Sequence, residues 1–405
     1  MSIRTPRPWL MLAVGVLAQA SASVVQSTPA FLIPLLHGER GLSLAQAGLL
    51  AATPSVGVLL TLVLWGAATD RWGERVVLVS GLLLTAAGVV GAIFAQGYIA
   101  LGVAFLVAGM GSACASSASG RVVIGWFPAE RRGFAMGIRQ MSQPLGVAVA
   151  ALVVPGLVAS GSLTPALVFG AVFAGAMAVA CALFIVNPKR PARTLDAEGR
   201  PANPYRGDAT LARIHLVSAL LVIPQYVLST FGLVWLIADQ GWDAVAAGAL
   251  VAAAQFIGAL GRIGAGILSD RIGSRLRPLR WVALAGIPLL LLTAGAGELH
   301  VVPLVAGAYI FASCVSVADN GLAFTAVAEI AGAHWSGRAL GAQNTGQFIT
   351  AAAVAPLMGL LIGMVGYSAA FALIALAPAV AAPLVPRDRP AARGATATRG
   401  ATATR

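Results

Sequence analysis

The sequence predicts an all-α membrane protein, with twelve transmembrane helices arranged as two pseudo-symmetric six-helix bundles. Three observations carry that prediction. Hydrophobic residues make up 59% of the 405 and charged residues 10%, at a mean hydropathy of +0.87, more apolar than the surface of a soluble chain this long tolerates. Apolar runs long enough to span a bilayer, about 20 residues each, recur twelve times. A polar loop, Gly66-Ala-Ala-Thr-Asp70-Arg71-Trp-Gly73-Glu-Arg75, returns 200 residues later as Gly266-Ile-Leu-Ser-Asp270-Arg271-Ile-Gly273-Ser-Arg275. A repeat displaced by half the chain marks two related halves.

The spans of the first half fall at 9–36, 44–69, 76–95, 98–127, 133–159 and 164–186. Helix 1 is too long for the apolar core of a cleavable signal and continues as a spanning helix. Helix 2 closes on the first copy of the loop, and helix 4 ends at Trp126-Phe127-Pro128. The second half gives 212–238, 244–269, 281–297, 301–330, 336–363 and 367–385, with helix 8 closing on the second copy. The bundles are thus 1–186 and 212–386. Between them, 187–211 is rich in Pro, Arg and acids and reads as a linker. The low-complexity tail, 387–405, is expected to be disordered and could touch anionic lipid headgroups.

Lys and Arg set the orientation. With the N-terminus, Arg4 and Arg7 inside, the cytoplasmic loops carry Arg71, Arg75, Arg131, Arg132, Arg271 and Arg338, while the outward loops hold only Arg40 beside Glu39, Asp239, Asp243 and Glu298. Both termini are then cytoplasmic. The net charge of +12 is topogenic asymmetry and no footprint of nucleic acid. Abundant Arg and Ala beside scarce Lys suggest a GC-rich bacterial genome, and a bacterial inner membrane is the expected location. Cys114, Cys181 and Cys314 fall inside predicted helices, which argues against disulfides or a metal site. The four histidines fall at helix ends or in loops and suggest no role. No cofactor motif is present, and a monomer is expected.

The pattern G-x-x-x-D-R-x-G-x-R between the second and third helices of each half resembles the signature loop of the major facilitator superfamily. The resemblance implies secondary transport of a small molecule by alternating access. It also implies that helices 3, 6, 9 and 12 face lipid while the others line a cavity. Read independently, helices 3, 6, 9 and 12 have no Asp, Glu, Lys or Arg in their cores. The membrane-buried charges are Arg121 on helix 4, Arg139 on helix 5, Arg262 on helix 8, and Asp319 and Glu329 on helix 10. A charge facing lipid costs about 2.5–3.5 kcal/mol on insertion scales, so these side chains are kept inside.

Arg262 lies eight residues, about 12 Å along a helix, from Asp270. The spacing Arg262-x-x-x-Gly266-x-x-x-Asp270 resembles helix 8 of monocarboxylate and oxalate transporters, which implies a grip on a substrate carboxylate. A guanidinium fork suits a carboxylate and keeps its charge. The alternative is a structural pair with an acid of helix 10. Trp126-Phe127-Pro128 followed by Arg131-Arg132-Gly133-x-Ala-x-Gly137 is similar to importers of organic anions, including cyanate-type porters. Arg121 reads as a structural or proton-relay arginine. Aligned through Gly137 and Gly341, Arg139 and Gln143 fall on Gln343 and Gln347, and Gln140 on Asn344. These residues, with Tyr226 and Gln26, are expected to line the cavity, although interhelical bonding alone is the other reading. Asp319 could carry a coupling proton or serve as a fixed counter-ion for Arg121, Arg139 or Arg262. Glu329 could do the same or sit at the cytoplasmic gate. That gate is expected to comprise Gly66, Asp70, Arg71 and Gly73, their repeats Gly266, Asp270, Arg271 and Gly273, and Arg132 and Arg338. Each Asp would meet the positive N-terminal end of a helix from the opposite half.

The reading these residues support is transport of a small organic anion, above all a monocarboxylate, coupled to protons or by exchange. The alternative is a multidrug or sugar exporter using proton antiport. Such exporters carry a Gly-Pro motif on helix 5, where this chain has Gln143-Pro144-Leu-Gly146 without the preceding glycine. A sensor would need a sizeable soluble domain. An enzyme would need a nucleophile–base set, metal-ligand cluster or phosphate loop, and the sequence shows none.

Overall fold

The computed structural model describes residues 8–38, 41–42, 44–158, 161–188, 203–206 and 208–388. Most of the predicted linker, the tail beyond 388, and Arg4, Arg7, Glu39 and Arg40 lie outside them. The first half is built from α1 (Pro8–Phe31), α2 (Leu44–Trp72), α3 (Glu74–Phe94), α4 (Tyr98–Trp126), α5 in two pieces (Arg132–Gln140 and Ser142–Leu157) and α6 (Thr164–Phe184). The second half has α7 (Thr210–Ala238), α8 (Ala244–Ile272), α9 (Leu276–Leu299) and α10 (Val302–Ala331). One continuous stretch, Ser336–Ile374, then breaks at Gly366 (φ 79°, ψ 173°). It is two helices, α11 over 336–365 and α12 from 367 to the end of Leu376–Leu384. A backbone at that positive φ is open to glycine and strained for other residues. By length and apolarity eleven stretches among the described residues can cross a membrane, and this break makes them twelve.

Three elements depart from the expected spans. Helix 1 stops at Phe31, and a short helix, Ile33–Gly38, follows; Pro34 has no N–H to continue the ladder. α9 begins five residues earlier than predicted, because Leu276 and Leu279 are buried and Pro278 sits in the first turn, where a missing N–H costs nothing. α5 is interrupted at Met141 because Pro144 leaves the carbonyl of Gln140 without its i+4 donor.

α3, α6, α9 and α12 present exposed apolar side chains such as Phe94, Leu183, Leu284 and Val380, the surface lipid requires. The halves meet through α2 against α11 and through the first piece of α5 against α8. All four helices meet at the end where the repeated loops lie, called here the basic end. There one apolar cluster joins the halves, with Leu12, Phe127 and Met136 from the first and Ile214, Leu322 and Leu340 from the second. Toward the opposite end each half has its own cluster, around Leu36, Phe105 and Val154 in one and Trp235, Tyr309 and Phe371 in the other. The second piece of α5 packs on α1, inside its own half. The bundle is therefore closed at the basic end and parted at the other.

Candidate functional site

The closure at the basic end is built twice from the same parts. Asp70, at the end of α2, accepts the backbone N–H groups of Gly337 (2.9 Å) and Arg338 (3.0 Å) at the start of α11. Asp270, at the end of α8, accepts those of Gly133 and Phe134 at the start of α5, both at 2.9 Å. The first-turn N–H groups of a helix have no partners of their own, and the helix dipole favours an anion there. Gly66 lies against Gly337, and Gly266 against Gly133, so closely that a Cβ at either position would overlap the facing carbonyl. Gly73 (φ 91°) and Gly273 (φ 68°) turn the chain immediately beyond each Asp.

The charge partners differ between the copies. Asp70 pairs with Arg121 (2.8 Å) and with Arg338 (3.4 Å), and Arg121 also meets Glu74 at 3.0 Å. Asp270 pairs with Arg275 at 2.5 Å. Glu329 holds Arg275 (3.3 Å) and, across the halves, Arg132 (3.4 Å). Arg132 also donates to the Phe127 and Ile124 carbonyls at the end of α4. Arg121 is therefore not a counter-ion of Asp319, and Glu329 belongs with the ions of the basic end. Both sit a helix turn or more nearer that end than Asp319, where acids of the loops are in reach. Arg71 and Arg271 are exposed. Arg71 lies over its own Trp72 ring, 5.8 Å from the centroid, and neither forms an ion pair among the described residues.

Above this closure lies a small polar cavity between the halves. The first half lines it with Gln19, Arg139, Gln140 and Gln143, and the second with Tyr226, Arg262, Asn344 and Gln347, together with Gln225 and Asn320. The second-half amides are ordered as a chain. Gln347 donates to Asn320 (2.9 Å) and to Ser218 (2.7 Å), and Asn320 donates to Gln225 (2.8 Å). Arg139 donates to Ser119 (2.9 Å), the Ser116 carbonyl (2.7 Å) and the Gln140 side chain, and lies 5.5 Å from the Phe324 ring centroid. Arg262 donates to the Gln140 backbone carbonyl at 2.9 Å, while its Nε is buried with no partner. Asp319 is fully buried, no side chain among the described residues hydrogen-bonds its carboxylate, and Arg262 is the cation that acts on it.

Two expected cavity residues lie elsewhere. Gln343 is 1% exposed and accepts from the His215 ring on α7, whose other nitrogen meets the Tyr205 hydroxyl at 3.0 Å. It stands one turn nearer the basic end than Gln347, where the halves have closed. Gln26 donates to Ser112 of α4 at 3.0 Å, within its own half. Gln19, two turns below Gln26 on the same face, takes the place at the cavity. Glu74, Arg275, Gln19 and His215 were missed from sequence. Arg275 had a signal, as the last arginine of the repeated loop. Glu74 had a weaker one, since Ser274 replaces it in the second copy.

Two halves closed at one end around a polar cavity define a membrane transporter. The chain belongs to the Major Facilitator Superfamily, whose family model matches residues 15–356. An uncharacterised MFS-type transporter of Mycobacterium tuberculosis is 46% identical over 93% of this chain and 84% of its own length. A probable sulfoacetate transporter of Cupriavidus necator is 28% identical over 82% of each chain. Among solved structures, the superfamily transporter FucP in its outward conformation superposes with a TM-score of 0.74, at 18% identity over 94% of this chain and 99% of that one. The protein is a multi-pass membrane transporter of a small molecule, and its family points to transport rather than catalysis.

Proposed function

We propose that the protein carries a small organic anion, above all a monocarboxylate, across the bacterial cytoplasmic membrane by alternating access. Arg262 is the observation that carries this reading. It is a cation lining a polar cavity at the interface of the halves, with a buried Nε that has no hydrogen-bond partner among the described residues. A buried donor left unmet costs about 1–3 kcal/mol, more when charged, and a carboxylate oxygen would satisfy it with a charge-assisted bond. Arg139 supplies a second cation from the opposite half, and Gln143, Asn344, Gln347 and Tyr226 supply neutral donors. The relative described as a probable sulfoacetate transporter adds support for an anion. Asp319, beside Arg262, is the candidate for carrying a coupling proton; with Asp319 permanently ionised, exchange is the mode that follows. The basic end is the cytoplasmic gate, where Asp70 and Asp270 release the facing helices as the halves rock, and the carrier works as a monomer.

The test is uptake of radiolabelled carboxylates into proteoliposomes. Truncating one side of a buried charged contact costs about 2–5 kcal/mol, so Arg262→Ala is expected to lower kcat/KM by about thirtyfold or more. Arg262→Lys, which keeps the charge and loses the fork, should recover part of it. Carboxylate uptake at the wild-type rate in Arg262→Ala would overturn the reading.

A further inference from the structure

Helix α5 is cut at the level of the cavity. Its first piece ends at Gln140, its second begins at Ser142, and Pro144 stands four residues beyond Gln140. Proline has no N–H, so the Gln140 carbonyl loses the bond a continuous helix would give it. A buried backbone carbonyl needs a donor. Here the donor comes from the other half of the molecule, as Arg262 Nη1 on α8 reaches this oxygen at 2.9 Å. The side chain of the same Gln140 accepts from Arg139. One residue of the first half thus occupies a donor on each cavity arginine.

We infer that Pro144 and the carbonyl it frees form a resting latch: in the empty carrier the Gln140 carbonyl stands in for the substrate's acid group on Arg262 and ties the two halves together. The inference rests on Arg262 being the anion site. A carboxylate is a stronger acceptor for a guanidinium than a neutral carbonyl, so an arriving anion takes Nη1 from it. Arg262 then leaves Gln140, and this bond between α5 and α8 at cavity level is exchanged for bonds to the cargo. The halves become free to separate at the basic end only when the site is filled. A carrier built in this way favours exchange of one anion for another over return of the empty form. Pro144 is a positioning residue here; it touches no substrate.

The test reads the empty protein, so it stands apart from the identity of the cargo. Spin labels on cysteines replacing Val76 of the first half and Trp281 of the second, both exposed, report separation at the basic end in a Cys314→Ser background. Pro144→Ala restores an N–H for the Gln140 carbonyl, and Arg262→Ala removes its outside donor. Each is expected to raise the ratio of separated to closed protein by about tenfold or more, the scale of one charge-assisted hydrogen bond. Because both act on one bond, the double variant should shift no further than either single one. Carboxylate transport should survive in Pro144→Ala and fail in Arg262→Ala. Shifts that add in the double variant, or no shift in Arg262→Ala, would overturn the latch. If Pro144→Ala does not fold, Arg262→Ala against wild type still decides it. Loss of carboxylate transport by the wild type would instead strike at the anion reading and leave these distances unaffected.

Discussion

Asp70 and Asp270 occupy equivalent places in the two copies of the loop, yet their surroundings are unequal. The Asp70 side chain is 1% exposed and faces Arg121 at 4%, whereas Asp270 is 8% exposed and its partner Arg275 also leans on the half-buried Glu329. Removing one partner of a buried pair costs about 3–5 kcal/mol, far above the ~0–1 kcal/mol of an exposed one. Asp70→Asn keeps one oxygen for a backbone N–H but takes the Asp70 charge away from Arg121. It should lower the unfolding temperature in detergent more than Asp270→Asn, and both should weaken transport while inserting normally; equal unfolding temperatures would show that the two copies carry equal load. The sequence repeat exposed both acids because it preserves residue type at fixed spacing. It could not show Arg121 as a partner, since that pairing joins residues 51 apart and depends on how deep α4 sits beside α2. Gln343 misled for a related reason. Its i,i+4 spacing from Gln347 shares a face, but a cavity that tapers toward a closed end admits the upper residue and walls off the lower.

At the scale of elements, the close approaches of α2 to α11 and of α8 to the first piece of α5 depend on glycine at the crossing. A side chain at Gly66 or Gly266 has backbone where its Cβ would go, and backbone cannot step aside as a flexible side chain can. Small residues let helices pack this closely in a bilayer. Gly66→Val and Gly266→Val are expected to slow transport about tenfold or more with helical content intact by circular dichroism. Gly363→Val, at a position with open space around it, should transport normally. A normal rate for Gly66→Val would mean that the closed crossing is not visited in the cycle. Helix number and order were readable because each span must satisfy its own backbone across about 30 Å of hydrocarbon. Helix ends were read less well. Hydropathy stops at the first arginine, as in α9, while the backbone ladder continues until a proline or a positive-φ glycine interrupts it.

For the whole molecule, two independent asymmetries combine into a state. Arginine placement supports the proposal that the basic end lies inside the cell, by the positive-inside rule. Packing sets which end is shut: one apolar cluster and both Asp–helix contacts join the halves at the basic end, while the opposite ends keep separate clusters. Neither fact alone gives a direction; with the orientation proposed above, together they make the carrier open to the outside. Sequence symmetry could reveal that two halves move against each other and not which pose they rest in, because either pose satisfies the same pattern. The consequence can be measured with a membrane-impermeant thiol reagent in a Cys314→Ser background, where the remaining cysteines, Cys114 and Cys181, are buried. Gln143→Cys, in the cavity wall, should be labelled on intact cells. Glu130→Cys, in the exposed turn before α5 at the basic end, should be labelled only in inside-out vesicles. Labelling of Glu130→Cys from outside would reverse the orientation. Labelling of Gln143→Cys from the inner side alone would leave the orientation standing and reverse the state, because the cavity would then open through the end held by Asp70 and Asp270.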